Sequence, residues 1–513
     1  MKKFLRDVID FIKNHKLFII LFTLLNSFLL YYNFIYEKID EHEHAKFLYP
    51  LLITQILGEL ALIAFYVFVK KKHFKIEKLF VAIALPLGLM HVFITPMNQL
   101  PDEIGHIFRA YAISEGKLVA EKDENGEIRE TISKTYWQVL NNASGDRYYY
   151  RSLKNSFFAT TSDEKWGWHY ENTAGYHPVA YLPQVTGVTI GKTLNFPIVM
   201  TMYLGRIFAL ITFVVLIYFA IKNTPKYKEF FVFFALFPEM LQQGMAYSAD
   251  GLLIGSSFLL ISLALKYIYG NDKKLSKKQI ASIYVLTALV STCKKIIYSP
   301  IFLMFLLVPA NKFKKKWHKY AHLFGTVVLA VAINLSWMLT QETSVSTDTE
   351  NLSFVMQNPI RFLVMMVGTA LGAKPGYYAE SALGLNLAYG HYVPQVNIYL
   401  YIAIVFLVML VLRNVEKYTE KRFEKVIYWA IPIIILSLIY FVSFTQWQYT
   451  KTNEVIIDGT QGRYFLPLLP LIPLLFHSKK AESVKKPISA DYIFLFGIFI
   501  NVCILTVKFL HNF

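Results

Sequence analysis

Nine consecutive residues, Pro101-Asp102-Glu103-Ile104-Gly105-His106-Ile107-Phe108-Arg109, hold two carboxylates, an imidazole and a guanidinium. Proline suits the first turn of a helix, and acids suit its positive N-terminal end. In such a helix Asp102 and His106 share one face, and Glu103 stands beside them, three residues before His106. Capping explains one acid; two acids with a His and an Arg have the composition of a site. A carboxylate placed there can act as general base on a sugar hydroxyl, accepting its proton in the transition state. The Glu-x-x-His spacing of Glu103 and His106 also permits a divalent-cation ligand pair, but the chain offers no second such pair.

Other polar groups recur at the ends of apolar runs. His177-Pro178, Tyr181 and Gln184 form one cluster, and Tyr247-Ser248-Ala249-Asp250-Gly251 marks a turn between two runs. Arg206 lies about two turns inside an apolar run, where an unpaired cation is costly. Lys294-Lys295, with Tyr298 just after, separates two runs, and Gln461-Gly462-Arg463-Tyr464 opens another. Singly, each reads as a snorkelling cation or a turn residue. Together, Arg206, Lys294, Lys295 and Arg463 fall on the same predicted membrane face as Asp102 and Glu103. Cations opposite a carboxylate pair suit an anionic lipid head group and a nucleophile awaiting deprotonation.

The elements that position these residues are set by composition. Of 513 residues, 55% are hydrophobic and only 17% charged, where a soluble protein carries about 25%. Mean hydropathy is +0.40, and several apolar runs approach the ~20 residues that cross a bilayer. A soluble enzyme, a disulfide scaffold and a disordered chain are excluded; the pattern is that of an all-α polytopic membrane protein. Spans are predicted at 17–36, 48–69, 79–96, 198–221, 229–246, 251–269, 279–293, 297–309, 320–340, 397–412, 426–444, 464–476 and 490–510, about thirteen in all. The first is too long for a signal-peptide core and reads as a retained anchor.

Segments 1–16, 70–78, 222–228, 266–278, 312–319, 413–425 and 479–486 hold 32 of the 52 Lys and Arg but 8 of the 35 Asp and Glu. Basic loops stay cytoplasmic, so these segments mark the inside, with the N-terminus among them. The net charge of +17 is thus a topology signal, and nothing in its pattern points to nucleic acid. Residues 360–372 are read as re-entrant or interfacial, because a further span would export 413–425. Cys293 and Cys503 form no CxxC motif and read as ordinary membrane cysteines.

This topology leaves outer segments at 97–197, 341–396 and 445–463. The first is far longer than a connection needs. It is rich in aromatics: Tyr136, Trp137, Tyr148, Tyr149, Tyr150, Phe157, Phe158, Trp166, Trp168, Tyr170, Tyr176 and Tyr181. Amphipathic helices lying at the membrane interface are predicted for it, since Tyr and Trp rings favour that layer.

These motifs resemble a family of bacterial polytopic membrane proteins of formerly unknown function, related to the GT-C glycosyltransferases. The resemblance rests on Pro101-Asp102-Glu103-x-x-His106-x-x-Arg109 with Ala110-Tyr111 and Ser114-x-Gly116. It continues through His177-Pro178, Tyr181-x-x-Gln184, Gly205-Arg206, Ser248-x-Asp250 and Lys295-x-x-Tyr298. It ends with Gln461-Gly462-Arg463-Tyr464-x-x-Pro467, and so covers residue 79 to the last span.

The resemblance implies a GT-C-like domain at 79–513, preceded by an extra two-helix membrane segment at 1–78 with an acidic turn at 37–43. It implies a polyprenyl-phosphate sugar donor and a catalytic acid in the first outer loop, Asp102 by preference with Glu103 as helper. Lys294, Lys295, Arg463 and Arg206 would hold the donor phosphate. His106, Arg109, His177, Tyr181, Gln184, Asp250, Tyr298, Gln461 and Tyr464 would serve the acceptor or support the site. The prenyl tail would lie beside 297–309 and 464–476, and 373–395 would cover the acceptor. The expected protein is an inverting glycosyltransferase of the bacterial cell membrane, acting on its outer face. By analogy the acceptor is a cell-wall polysaccharide or teichoic acid. The alternatives are a polymerase or ligase using lipid-linked polysaccharide and, less favoured, a lipid-linked sugar transporter, which would place ionisable residues at the midplane and show internal repeats.

Overall fold

A computed structural model describes residues 2–36, 45–120, 129–143, 153–169 except 155 and 163, 171–270, 274–340, 349–372, 376–378, 381, 421–447, 456–475 and 489–512. The predicted span 397–412, the acidic turn 37–43, most of 373–395, and Tyr148, Tyr149, Tyr150 and Tyr170 lie outside those residues.

Backbone polar groups cannot be left open in lipid, so apolar stretches of this length become helices. Among the described residues eight helices are long and apolar enough to cross a membrane: Lys16–Ile35, Phe47–Lys70, Ile76–Ile94, Ile198–Asn223, Asp250–Tyr269, His318–Thr340, Arg422–Gln446 and Ala490–Leu510. The chain is a multi-pass membrane protein. The pair Thr349–Gln357 and Pro359–Leu371 meets at 103°, the geometry of a broken span or a re-entrant loop; it covers all but the last residue of 360–372, the segment read as re-entrant or interfacial.

Proline accounts for much of the difference from the predicted thirteen spans. Residues 229–246 form two short helices, Lys228–Ala235 and Pro238–Met245, because Pro238 carries no N–H and holds Phe237 extended. The runs at 297–309 and 464–476 are 3-10 segments, Ser299–Leu307 and Gly462–Leu471, the latter interrupted by Pro467 and Pro470. The run at 279–293 is a 17-residue helix, Lys277–Cys293.

Asp250–Tyr269 and Ala490–Leu510 form the centre of the bundle, whereas His318–Thr340 lies at its margin. Ile198–Asn223 packs on the Leu182–Thr193 helix so closely that a Cβ at Gly187 would strike the Leu204 carbonyl. The long 97–197 segment is not wholly helical. Besides helices Glu103–Ser114, Lys134–Ala143 and Leu182–Thr193 it carries an antiparallel ribbon, Arg129–Ser133 with Lys165–His169.

The first two spans dock on the last. Asn26 Nδ2 donates to Glu59 Oε1 (2.7 Å) and to the Phe499 carbonyl (2.9 Å), and the Thr23 hydroxyl donates to Glu59 Oε2 (2.8 Å). At the N-terminal end Asp491 accepts from Lys70 Nζ (2.6 Å) and the Tyr66 hydroxyl (2.7 Å). Asp491→Ala leaves both donors without their acceptor, so a loss of about 1–3 kcal/mol is expected. It would be read as a lower unfolding midpoint of the full-length protein in detergent.

Candidate active site

Asp102 is held in the left-handed region, at φ 63°, immediately before the Glu103–Ser114 helix. A non-glycine residue there is strained, and such strain gathers at functional positions. The Asp102 carboxylate makes no helix-capping hydrogen bond. Its side chain is 54% exposed and accepts from Arg463 Nη2 at 3.1 Å.

Arg463 comes from the start of the Gly462–Leu471 segment and also donates to the Pro101 carbonyl (3.2 Å). Its Nε lies 3.6 Å from Asp250 Oδ2, while Lys294 Nζ lies 3.2 Å from Asp250 Oδ1. Buried Asp250 thus holds two cations, one from each of two distant segments, across the first turn of the Asp250–Tyr269 helix. Lys294 also sits over the Tyr464 ring, 4.7 Å from its centroid. Lys295 is exposed, with φ 53°.

Asp102, His106, Lys294, Lys295, Tyr298, Arg463 and Tyr464 line one open cavity of about 1200 Å³, counted with its mouth. Its other walls are His177 with Tyr176, Ile333, Asn334 and Trp337 of His318–Thr340, and Ile439, Val442, Ser443 and Gln446 of Arg422–Trp447. The cavity thus combines cations with a wall from two spans that mixes apolar Ile333, Trp337, Ile439 and Val442 with polar Asn334, Ser443 and Gln446. Trp337 Nε1 donates to the Gly175 carbonyl (2.9 Å), and its ring packs 4.7 Å from that of His177. Composition offered a signal for Asn334, an amide inside an apolar run. Trp337 carried only the signal of an interface anchor.

Hydrogen bonds of the predicted residues, some lining the cavity and some behind it, brace its wall. Gln184 Nε2 donates to the Ala246 (3.0 Å) and Ser248 (2.9 Å) carbonyls and so holds the turn that presents Asp250. Arg109 Nη2 donates to the Leu118 (2.5 Å) and Tyr176 (3.2 Å) carbonyls. The Tyr298 hydroxyl donates to the Tyr464 carbonyl (2.8 Å), and the Gln461 carbonyl accepts from the Tyr464 N–H (3.1 Å). The His177 ring caps its own turn by accepting from the Val179 N–H at 3.2 Å.

Glu103 and Arg206 are brought together, but away from the cavity. Arg206 Nη2 reaches both Glu103 oxygens at 2.8 Å, and Nε reaches Oε1 at 3.2 Å. The guanidinium further donates to the Thr95 (2.6 Å) and Pro96 (2.9 Å) carbonyls, and both side chains are fully buried. The pair pins the start of the Glu103–Ser114 helix to the Ile198–Asn223 span. Since the helix begins at Glu103, Asp102 and His106 face the cavity while Glu103 turns inward. The Glu103–His106 ligand pair is correspondingly split: Glu103 faces Arg206, and His106 Nδ1 lies 2.5 Å from the Tyr181 hydroxyl. Among the described residues no group of three His, Cys, Asp or Glu is placed to hold a metal. Cys293 and Cys503 are both free and buried.

Burial holds the His106 imidazole neutral, with its pKa depressed to about 3, and the Arg463 and Lys294 charges push the same way. Burial, then Arg109, also lowers the His177 pKa. A depressed folded-state pKa contributes stability that is complete above the ordinary value near 6.5 and is lost as pH falls toward 3. The unfolding midpoint is therefore expected to drop between pH 6.5 and pH 4, with a shallower fall in His106→Gln.

The fold and this cavity define a multi-pass membrane protein with a charged site at the ends of its spans, opposite the N-terminal face. The sequence model of the DUF2142 predicted membrane protein family matches residues 85–472, and the chain belongs to that family. The match takes in every residue of the cavity but neither the first two spans nor the last. No curated protein and no solved structure matches the chain.

Proposed function

We propose that this protein is a GT-C-type membrane glycosyltransferase. It would move a sugar from a polyprenyl-phosphate donor to a cell-surface glycan on the outer face of the bacterial cell membrane. One observation carries the reading: a carboxylate, Asp102, and three cations, Lys294, Lys295 and Arg463, meet at one cavity although they come from three distant stretches of chain. The acceptor oxygen attacks the anomeric carbon as its proton passes to the Asp102 carboxylate. The bond from that carbon to the phosphate oxygen breaks, the phosphate leaves with the electron pair, and configuration inverts. Its charge is met by Lys295 and by the Lys294 and Arg463 groups that Asp250 holds in place. The apolar residues of the wall from His318–Thr340 and Arg422–Trp447 suit the first prenyl units.

Three cations against two carboxylates, Asp102 and Asp250, leave one positive charge. That balance fits the single charge of a phosphodiester donor better than the diphosphate used by polymerases and ligases. The test compares surface-glycan composition and linkage in wild type, a deletion, and the deletion complemented with Asp102→Asn at matched expression. Loss of one sugar substituent, unrestored by Asp102→Asn, is expected. Shortening or loss of the whole polymer would favour the polymerase reading instead.

A further inference from the structure

On the opposite side from the cavity, residues 2–16 and 70–78 together carry ten Lys and Arg against three Asp and Glu. The first of these stretches is built into an amphipathic helix, Lys2–Asn14. One edge of the helix is fixed to the protein. Phe4 meets Phe68 edge-on at 6.0 Å, Phe11 meets Tyr66 at 5.8 Å, Val8 is buried, and Asp7 pairs with Lys71 at the end of the second span.

The other edge is left open among the described residues. Leu5 and Ile9, one turn apart, are 59% and 43% exposed. At 100° per residue, Lys2, Arg6 and Lys13 fall side by side on the strip bordering Leu5 and Ile9. All three are exposed, and none has a carboxylate partner among the described residues. Exposed Lys72 and Lys75 extend the same charge beyond the end of the second span. The helix runs directly into the first span at Lys16, so its exposed apolar edge is at the level where acyl chains meet head groups. An apolar strip flanked by cations at that level matches a lipid surface of opposite charge. Nucleic acid would leave Leu5 and Ile9 facing water.

We propose that the Lys2–Asn14 helix and the adjoining Lys72–Lys75 turn form a binding shelf for anionic phospholipid head groups in the leaflet on the N-terminal side. Leu5 and Ile9 sink among the upper acyl carbons, and Lys2, Arg6 and Lys13 meet the phosphates. Lys70 and Lys71 serve a different purpose, holding the shelf to Asp491 and Asp7. The inference is independent of the transferase reading, since no cavity residue takes part.

The experiment places full-length protein in nanodiscs containing phosphatidylglycerol and phosphatidylcholine, then releases it and counts retained lipids by native mass spectrometry. Wild type should retain phosphatidylglycerol in excess of its share of the bilayer. The Lys2→Gln/Arg6→Gln/Lys13→Gln variant should lose that excess by about fivefold or more, because each basic group near an anionic surface contributes roughly that factor. Should the variant fail to fold, wild type alone decides: raising salt from 0.05 to 0.5 M should abolish the excess by screening. Equal retention of the two lipids by wild type, or an excess indifferent to both salt and the triple substitution, would overturn the proposal. So would tighter capture of a single-stranded oligonucleotide than of phosphatidylglycerol.

Discussion

Asp102→Asn is expected to reduce sugar transfer by about 10²–10⁴-fold while leaving the folded protein intact. The factor is that of removing a positioned general base. Stability should be nearly unchanged, because the Asp102 side chain is 54% exposed and ion pairs of that kind contribute only ~0–1 kcal/mol. Arg463 keeps its bond to the Pro101 carbonyl and its ion pair with Asp250 when Asp102 is neutral, so the proposed donor seat should survive. The measurement is a turnover assay on purified protein beside an unfolding curve. Transfer at the wild-type rate would remove Asp102 from the chemistry.

Glu103→Ala should do the reverse and act through folding. Its carboxylate is fully buried against Arg206 with three contacts at 2.8–3.2 Å. Removing one partner of a buried pair costs about 3–5 kcal/mol, because the other charge remains without compensation. Glu103→Leu combined with Arg206→Met should recover much of that loss, since replacing both members is often neutral or better. The readout is the amount of folded protein extracted from membranes and its unfolding midpoint. A well-folded Glu103→Ala protein with no transfer activity would instead give Glu103 a role in the reaction. On the proposed reading one of the two neighbouring acids is chemical and the other a structural anchor, and they are told apart by which curve moves.

Residue spacing foresaw that Asp102 and His106 share a face, and that Lys294, Lys295 and Arg463 lie on the same side as Asp102. It could not separate Glu103 from Asp102. That depends on Asp102 taking a left-handed conformation, so that the helix starts one residue later. Arg206 read as a donor ligand because its depth was visible and its partner was not; only packing of the Ile198–Asn223 span brings Glu103 to it. Hydropathy located most of the apolar runs but not their conformation. Pro238 breaks one of them, and Pro467 with Pro470 interrupt another that is 3-10; hydropathy counts proline without regard to its missing N–H. For a related reason the types of Trp337 and Asn334 were visible but their place in the cavity was not. A polar tip on one face of an otherwise apolar span has no assignable direction until its neighbours fix which face turns inward.

The most direct measurement of the central claim is the affinity of the purified protein for a short polyprenyl phosphate, with the matching polyprenol as control. Lys295 is the residue to change, because it is exposed and makes no ion pair among the described residues. A cavity that seats a lipid phosphate should bind the phosphate well above the alcohol. Lys295→Gln should weaken phosphate binding by about tenfold or more, the size of one charge-assisted hydrogen bond, without altering binding of the alcohol. Equal affinity for phosphate and alcohol, unchanged by Lys295→Gln, would contradict the assignment of this cavity as the donor site.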